Sequence, residues 1–216
     1  MSTTLPKLAL VTGGTRRVGA AISAHLARAG WELALHYGHN ANMDAELSAV
    51  LTGCQIPHAL FAADLSDSDQ VQALLTAIRA HFGRLPHLIV NNASLFEDDD
   101  PTTVTPERLM HHYAVNVVAP VLLASRLAEQ WHESTSACVI NILDQRIAQP
   151  HGDQLSYTLS KQALGAATDT LARALAPKVR VNAVAPGLTL PTPDYSTAQF
   201  ERLGTMMPLA RLPSPA

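Results

Sequence analysis

A doubly wound α/β domain, a parallel sheet covered by helices on both faces, is the fold class this sequence predicts. Three observations point to it. Short apolar runs alternate with helical stretches along the chain. Those runs are apolar on both faces, as strands buried on two sides must be. A glycine turn, "TGGTRRVG", separates the first run from the first helix, at the point where such sheets meet a phosphate group. Ligands are then expected outside the carboxyl ends of the strands.

The elements follow in order. "KLALVT" (7–12) reads as a buried strand, followed by a helix through "RVGAAISAHLARAG" that Gly30 terminates. "ELALHY" (32–37) is a second strand, with a polar helix near 42–52, and "HALFAADL" (58–65) holds a third. "SDSDQVQALLTAIRAHFG" has an N-cap serine, acidic first-turn residues and a glycine stop, so it predicts a helix. "HLIVNNA" is the fourth strand. One long helix, "TPERLMHHYAVNVVAPVLLASRLAEQW", starts with Thr105 as cap and Pro106 in its first turn. "ACVINIL" is the fifth strand, "LSYTLSKQALGAATDTLARALA" a helix and "VRVNAVA" the sixth strand. A Pro-rich stretch, "LTLPTPDYS", a short helical piece and "PLARLPSPA" close the chain. No repeat or linker divides it, so residues 1–216 read as a single Rossmann-like domain.

The composition narrows the partners. The chain has 216 residues, enough for one large core, and a net charge of −3 that attracts neither nucleic acid nor an anionic membrane. No signal-peptide-like segment precedes the first strand and no apolar run approaches ~18 residues, so a cytoplasmic protein is expected. Cys54 and Cys138 fit no metal or redox spacing, and Cys138 reads as a small core residue. His111 and His112 are adjacent and so point apart on a helix. No metal is expected.

Gly13, Gly14 and Gly19 allow backbone to approach a diphosphate closely at a helix N-terminus. Arg16 and Arg17 add positive charge there. Enzymes that select NAD place an acidic residue about 20 residues beyond the glycines. Here that place holds His36, Tyr37, His39 and Asn40, with no carboxylate to repel a 2′-phosphate. NADPH is therefore the expected cofactor, the alternative being a neutral turn without selectivity. Asp64 and Leu65 after the third strand either bracket an adenine or form an ordinary strand-to-loop turn. The same choice holds for "NNAS" (91–94), which includes Asn92 and Ala93.

Tyr157 and Lys161 stand at i and i+4 on one helix face. A neighbouring ammonium favours the phenolate and lowers a tyrosine pKa from its usual ~10, which suits acid–base work. Asp144 ends the apolar fifth strand, thirteen residues before Tyr157. A hydroxyl there would suit a ketone. A carboxylate instead accepts from the N–H edge of an amino-substituted heterocycle, and passes a proton towards a ring nitrogen. The bland alternative is an aspartate that only caps a loop. A flat ring stacked on Phe96 would gain ~0.5–1.5 kcal/mol beyond burial. The acidic run "EDDDP" (97–101) reads as a solvated loop without a role.

Taken with "NNA" at 91–93, Asn116 on the long helix and "PG" at 186–187, all in order, these residues resemble the short-chain dehydrogenase/reductase family from residue 7 onward. The resemblance implies catalytic roles for Tyr157, Lys161 and Asn116, with Asn116 holding the lysine through a water. It implies cofactor contacts at Gly13, Arg16, Arg17, Val18, Asn92, Ala93, Pro186 and Gly187. Two positions depart from the usual family pattern. Asp144 replaces a serine, and Arg17 replaces the middle glycine of the turn. Both match the pteridine-reductase branch, as do His36-Tyr37 and "NNASLF" (91–96), and bacterial dihydromonapterin reductases share the set. In that branch the arginine and the aromatic ring contact the pterin, which implies Arg17, Ser94, Phe96, Asp144 and Tyr157 as substrate contacts. "HYGHN" lacks the Arg-Ser often found there.

The expected activity is NADPH-dependent reduction of a dihydropterin ring C=N. The alternatives are a carbonyl reductase of unknown substrate and a non-catalytic NADP-binding protein. The resemblance also implies a homo-oligomer, dimer or tetramer. It implies a final helix and a seventh strand, which this sequence lacks, leaving strand six with an unpaired edge.

Overall fold

The computed structural model describes residues 7–190, 196–207 and 209–215. Six parallel strands form one sheet in the order β3-β2-β1-β4-β5-β6. They are β1 (Leu8–Val11), β2 (Glu32–Tyr37), β3 (His58–Ala62), β4 (Leu88–Asn91), β5 (Ala137–Ile142) and β6 (Val179–Val184). The chain winds outward from β1 in one direction and, from β4, in the other. The crevice between the carboxyl ends of β1 and β4 is thus the topological switch point, where open sheets of this type bind ligands.

Register keeps apolar side chains stacked across the centre, with Leu10 opposite Ala34 on one side and Ile89 on the other, and Val139 opposite Val181. One face packs on α3 (Ser68–Phe82) and α5 (Ala119–Gln130), where Leu10, Leu75, Ile89, Leu123, Leu127 and Trp131 share a core. The other face packs on α1 (Arg17–Arg28) and α2 (Ala45–Cys54) through Val11, Leu33, Leu35, Leu47 and Leu51. The buried stripe of α1 is Gly19, Ala20, Ser23, Ala24 and Ala27, small enough to bring its N-terminus close to the end of β1. Cys138 is half-buried against this second core, and Cys54 is exposed.

Several expectations need correction. α3 is capped by Asp67, whose carboxylate accepts the amides of Asp69 and Gln70, and not by a serine. α2 begins three residues later than the polar stretch at 42 suggested. The single long helix is three pieces: α4 (Pro106–Tyr113), one π-helical turn (Ala114–Val118) and α5. Thr105 does cap α4, accepting the Arg108 amide. The edge strands are not apolar on both faces. β3 and β6 expose alternate residues, and Val184 is 53% exposed. α6 (Leu155–Ala174) precedes β6, and α7 (Thr197–Met206) is the short helical piece expected near the end. Most of the Pro-rich stretch before α7 lies outside the described residues. No helix among the described residues is long and apolar enough to cross a membrane.

Candidate active site

The glycine turn is held from four strands. Thr12 Oγ1 accepts the amides of Asn92 and Ala93, both at 3.0 Å, and Asn92 Nδ2 donates to the carbonyls of Thr12 (2.9 Å) and Gly13 (3.3 Å). The Gly13 amide donates to His36 Nδ1 at 3.0 Å, and His36 Nε2 donates to the Ala63 carbonyl at 3.0 Å. Both imidazole nitrogens are thus spent inside the protein, and the ring is 2% exposed. The side chains of His36 and Asn92 brace the turn from behind, and His36 also lines the cleft beside it.

That bracing sets a pH dependence. Burial pushes the His36 pKa below 6.5, against the Ala63 carbonyl, which raises it. Above that value the ring is neutral in both folded and unfolded chains and the tether contributes fully. As pH falls below it, the unfolded chain takes up a proton that the folded ring resists, so stability is lost on acidification. Between about pH 7 and pH 5 the melting temperature of His36→Asn is expected to fall less than that of the native chain, although its value at pH 7 is lower. Equal slopes in differential scanning calorimetry would refute the assignment.

Arg17 takes the left-handed conformation (φ +53°), which a glycine would adopt at less cost. Its amide donates to Asp44 Oδ2 at 2.7 Å, while the Asp44 amide donates to the Thr15 carbonyl at 2.9 Å. Arg16 is exposed and Val18 half-buried on the first turn of α1. Gly13, Arg16, Tyr37, His39 and Asn40 line an open cleft beside the turn, and it continues along Asp64, Leu65, Ala93, Ser94 and His111. The Ser66 amide and hydroxyl hold the Asp64 carboxyl below its usual range, with His39 and His111 adding to the effect. His111 was not anticipated in this cleft.

These residues fit a dinucleotide. The cradle is bare backbone, since a Cβ on Gly19 would lie 2.0 Å from the Gly13 carbonyl oxygen and 2.6 Å from Asn92 Nδ2. The helix dipole and Arg16 favour a diphosphate there. Tyr37 to Asn40 present no carboxylate to a 2′-phosphate.

At the other end of the crevice the candidate reacting groups meet. Tyr157 Oη donates to Asp144 Oδ2 at 2.8 Å. Asp144 Oδ1 accepts the Arg146 amide at 2.9 Å, capping the 3-10 turn Gln145–Ile147. One oxygen therefore caps the turn and orients the carboxylate, and the other faces the phenol. Lys161 Nζ donates to the Ile142 carbonyl at 2.8 Å and lies 5.7 Å from the Tyr157 ring centroid.

The electrostatics reverse one expectation. Burial, then the Asp144 charge and its hydrogen bond, push the Tyr157 pKa far above the ordinary phenol range, with Arg146 opposing. The Lys161 ammonium, bonded to the Ile142 carbonyl, does not reverse that rise. Burial brings Lys161 itself down to about 8, against the pull of Asp144. Tyr157 is therefore a protonated donor at neutral pH.

Phe96 stands edge-on to Tyr157, ring centroids 4.7 Å apart at 83°, and is 43% exposed, leaving aromatic surface open to solvent. The π-helical turn carries Asn116 inward, as such turns often do at functional sites. Asn116 accepts from the Leu95 amide (2.8 Å) and Ser94 Oγ (3.2 Å), and donates to the Leu95 carbonyl (3.0 Å) and Ser160 Oγ (2.9 Å). Its side chain binds the loop leading to Phe96 to the helix bearing Tyr157. The Pro186 carbonyl accepts the Gln145 amide, and Gly187 packs near the Gln145 side chain, so both back the turn beside Asp144.

Sequence reasoning missed Arg146 and Asp99. Arg146 is paired with Asp153 at 2.8 Å and bears on both Asp144 and Tyr157. Asp99 belongs to the acidic run given no role.

Known proteins resemble this chain in sequence and in fold. The chain is similar to an NADP-complexed FolM alternative dihydrofolate reductase 1 from Brucella canis, at 38% identity and TM-score 0.86 over 97% of this chain and 82% of that one. The Brucella suis protein of the same description gives 38% and 0.85 over 97% and 83%. Among curated proteins it is 31% identical to an L-xylulose reductase of Aspergillus niger, over 89% of this chain and 70% of that protein. The sequence pattern of the short chain dehydrogenases matches residues 7–201, and with it the chain belongs to that family of oxidoreductases.

Proposed function

We propose that the protein is an NADPH-dependent reductase of dihydropterins, working as a single domain and assembled as a homo-oligomer. The observation that carries this reading is the 2.8 Å hydrogen bond from Tyr157 Oη to Asp144 Oδ2. A carboxylate, where a ketone reductase would want a hydroxyl donor, suits the N–H edge of an amino-substituted heterocycle. Similarity to the two Brucella dihydrofolate reductases supports it.

NADPH, held by the glycine turn, Arg16 and Lys161, would supply the hydride for a ring C=N carbon. The matching proton leaves Tyr157 Oη for the ring nitrogen, and the phenol is then reprotonated from solvent through Asp144. The overall change adds one hydride and one proton across the C=N bond. Lys161, protonated below its value of about 8, stabilises the phenolate as it forms. Phe96 offers a face for the flat ring, and Arg17, on the rim of the glycine turn, adds a cation beside the substrate.

A spectrophotometric screen tests the reading: NADPH oxidation with dihydromonapterin, dihydrobiopterin and several ketones. Turnover of pterins over ketones supports it, and the reverse preference refutes it. Asp144→Ser is expected to lower kcat/KM for a dihydropterin by about 10²-fold, the low end of what a positioned acid–base group contributes. The L-xylulose reductase relative favours a second reading, reduction of a sugar ketone, which the same screen would reveal.

A further inference from the structure

α6 carries Tyr157 in its first turn, yet its own N-cap residue caps nothing. Gln154 stands at φ +46° with no side-chain bond to the helix amides. The cap comes from the acidic run. Asp99, 6% exposed, accepts the Ser156 amide on Oδ1 at 3.0 Å and the Ser156 hydroxyl on Oδ2. The Asp99 carbonyl accepts the Leu155 amide at 3.2 Å, and Asp98 Oδ1 accepts from Gln154 Nε2 at 2.6 Å. Orphan amides at a helix start are thereby satisfied, and the macrodipole favours the carboxylate placed there.

The same segment is fixed on its other side by α4. Arg108 Nη1 donates to the Asp98 carbonyl at 2.5 Å, and the Glu97 amide donates to His112 Nε2 at 3.3 Å. Residues 96–99 thus form a strap. At one end Phe96 meets the Tyr157 ring, and at the other Asp99 holds the turn from which Tyr157 projects. Ser156 is 1% exposed, so in the native chain its amide and hydroxyl rely on the carboxylate and not on bulk water.

We propose that Asp99 is a positioning residue that sets Tyr157 against Asp144 and Phe96 by capping α6 from the strap. It touches neither substrate nor cofactor and acts through Ser156. The inference rests on Tyr157 as proton donor, as proposed above, and not on which compound is reduced.

Asp99→Asn, Ser156→Ala and their double variant test it in the full chain. Asparagine keeps the shape and one acceptor, and alanine keeps the Ser156 amide, so both chains are expected to fold. Turnover is read with dihydrobiopterin and with a diketone, using whichever the enzyme accepts. Amide hydrogen exchange is followed in residues 95–101 and 154–158 together. Asp99→Asn should lower kcat about 10- to 100-fold, the cost of a misplacement near 1 Å, with NADPH affinity kept. The double variant should be no worse than Asp99→Asn alone, and exchange should quicken in both segments at once.

A lower melting temperature with native kcat per folded molecule would make Asp99 a structural cap only and overturn the proposal. Multiplying losses in the double variant, or faster exchange in one segment without the other, would overturn it too. Tyr157→Phe is measured alongside. If that variant turns over at the native rate, the parent reading fails and takes this one with it. If it is inactive while Asp99→Asn is native, only this proposal fails.

Discussion

Tyr157→Phe is expected to lower kcat by about 10²- to 10⁴-fold, the range a positioned general acid contributes. The phenol is the only hydroxyl shown donating to Asp144 among the described residues, and phenylalanine keeps the ring against Phe96 while removing the proton. Nucleotide affinity should stay close to native, because the glycine turn lies on other strands. The pH profile sharpens the test. With the Tyr157 pKa held far above the ordinary range, the donor stays protonated throughout neutral pH and sets no limb there. Lys161, brought down to about 8, does. Native kcat should therefore fall as pH rises through about 8, when the ammonium that steadies the forming phenolate is lost. The residual rate of Tyr157→Phe should be flat across that interval. A variant within tenfold of native, or one that keeps the alkaline limb, would remove Tyr157 from the donor role.

The central strands and the pairing of Tyr157 with Lys161 were legible because both are local in sequence. β1, β2, β4 and β5 are built round the apolar runs 8–11, 33–35, 88–90 and 137–140, and the spacing of Tyr157 and Lys161 puts them on one helix face wherever that helix lies. What escaped depends on distant partners. His36 sits where a ribose ligand is expected, but the Ala63 carbonyl just past β3 and the Gly13 amide claim its ring. Asp99 is separated from Ser156 by 57 positions, and nothing in "EDDDP" distinguishes its one buried carboxylate from its solvated neighbours. The phenol's shift was misjudged because spacing places Lys161 beside Tyr157 without saying that the phenol is buried and bonded to the Asp144 carboxylate. The π-helical turn adds a single residue to a helix and leaves the apolar pattern on either side intact, so only the hydrogen bonds reveal it. Asp67 displaced a serine as the cap of α3 because its two oxygens reach three donors, the amides of Asp69 and Gln70 and the Gln70 side chain.

Gly19→Ala is expected to abolish nucleotide binding and to destabilise the chain, whereas Gly165→Ala should stabilise it. Both glycines lie inside helices, α1 and α6, where alanine is intrinsically favoured by about 0.5–1 kcal/mol. Their surroundings decide the sign. A Cβ at Gly165 would meet only Leu143 Cδ1, at 3.8 Å, an ordinary contact. At Gly19 it would lie 2.0 Å from the Gly13 carbonyl oxygen and 2.8 Å from the Gly13 carbonyl carbon. Those atoms are backbone, so no rotamer change relieves the clash. Gly13 cannot yield easily either: it already holds φ +59°, its amide is bonded to His36 and its carbonyl accepts from Asn92. Overpacking of this kind costs about 1–3 kcal/mol and occasionally more, which outweighs the helix preference. Any relaxation that accommodates the methyl group moves the turn on which the diphosphate would rest, so affinity should suffer more than stability. NADPH titration by fluorescence and thermal melting of the two variants check both halves. Tight binding by Gly19→Ala would show that this turn is not the phosphate cradle, because a cradle made of bare backbone cannot hold its ligand with that space filled.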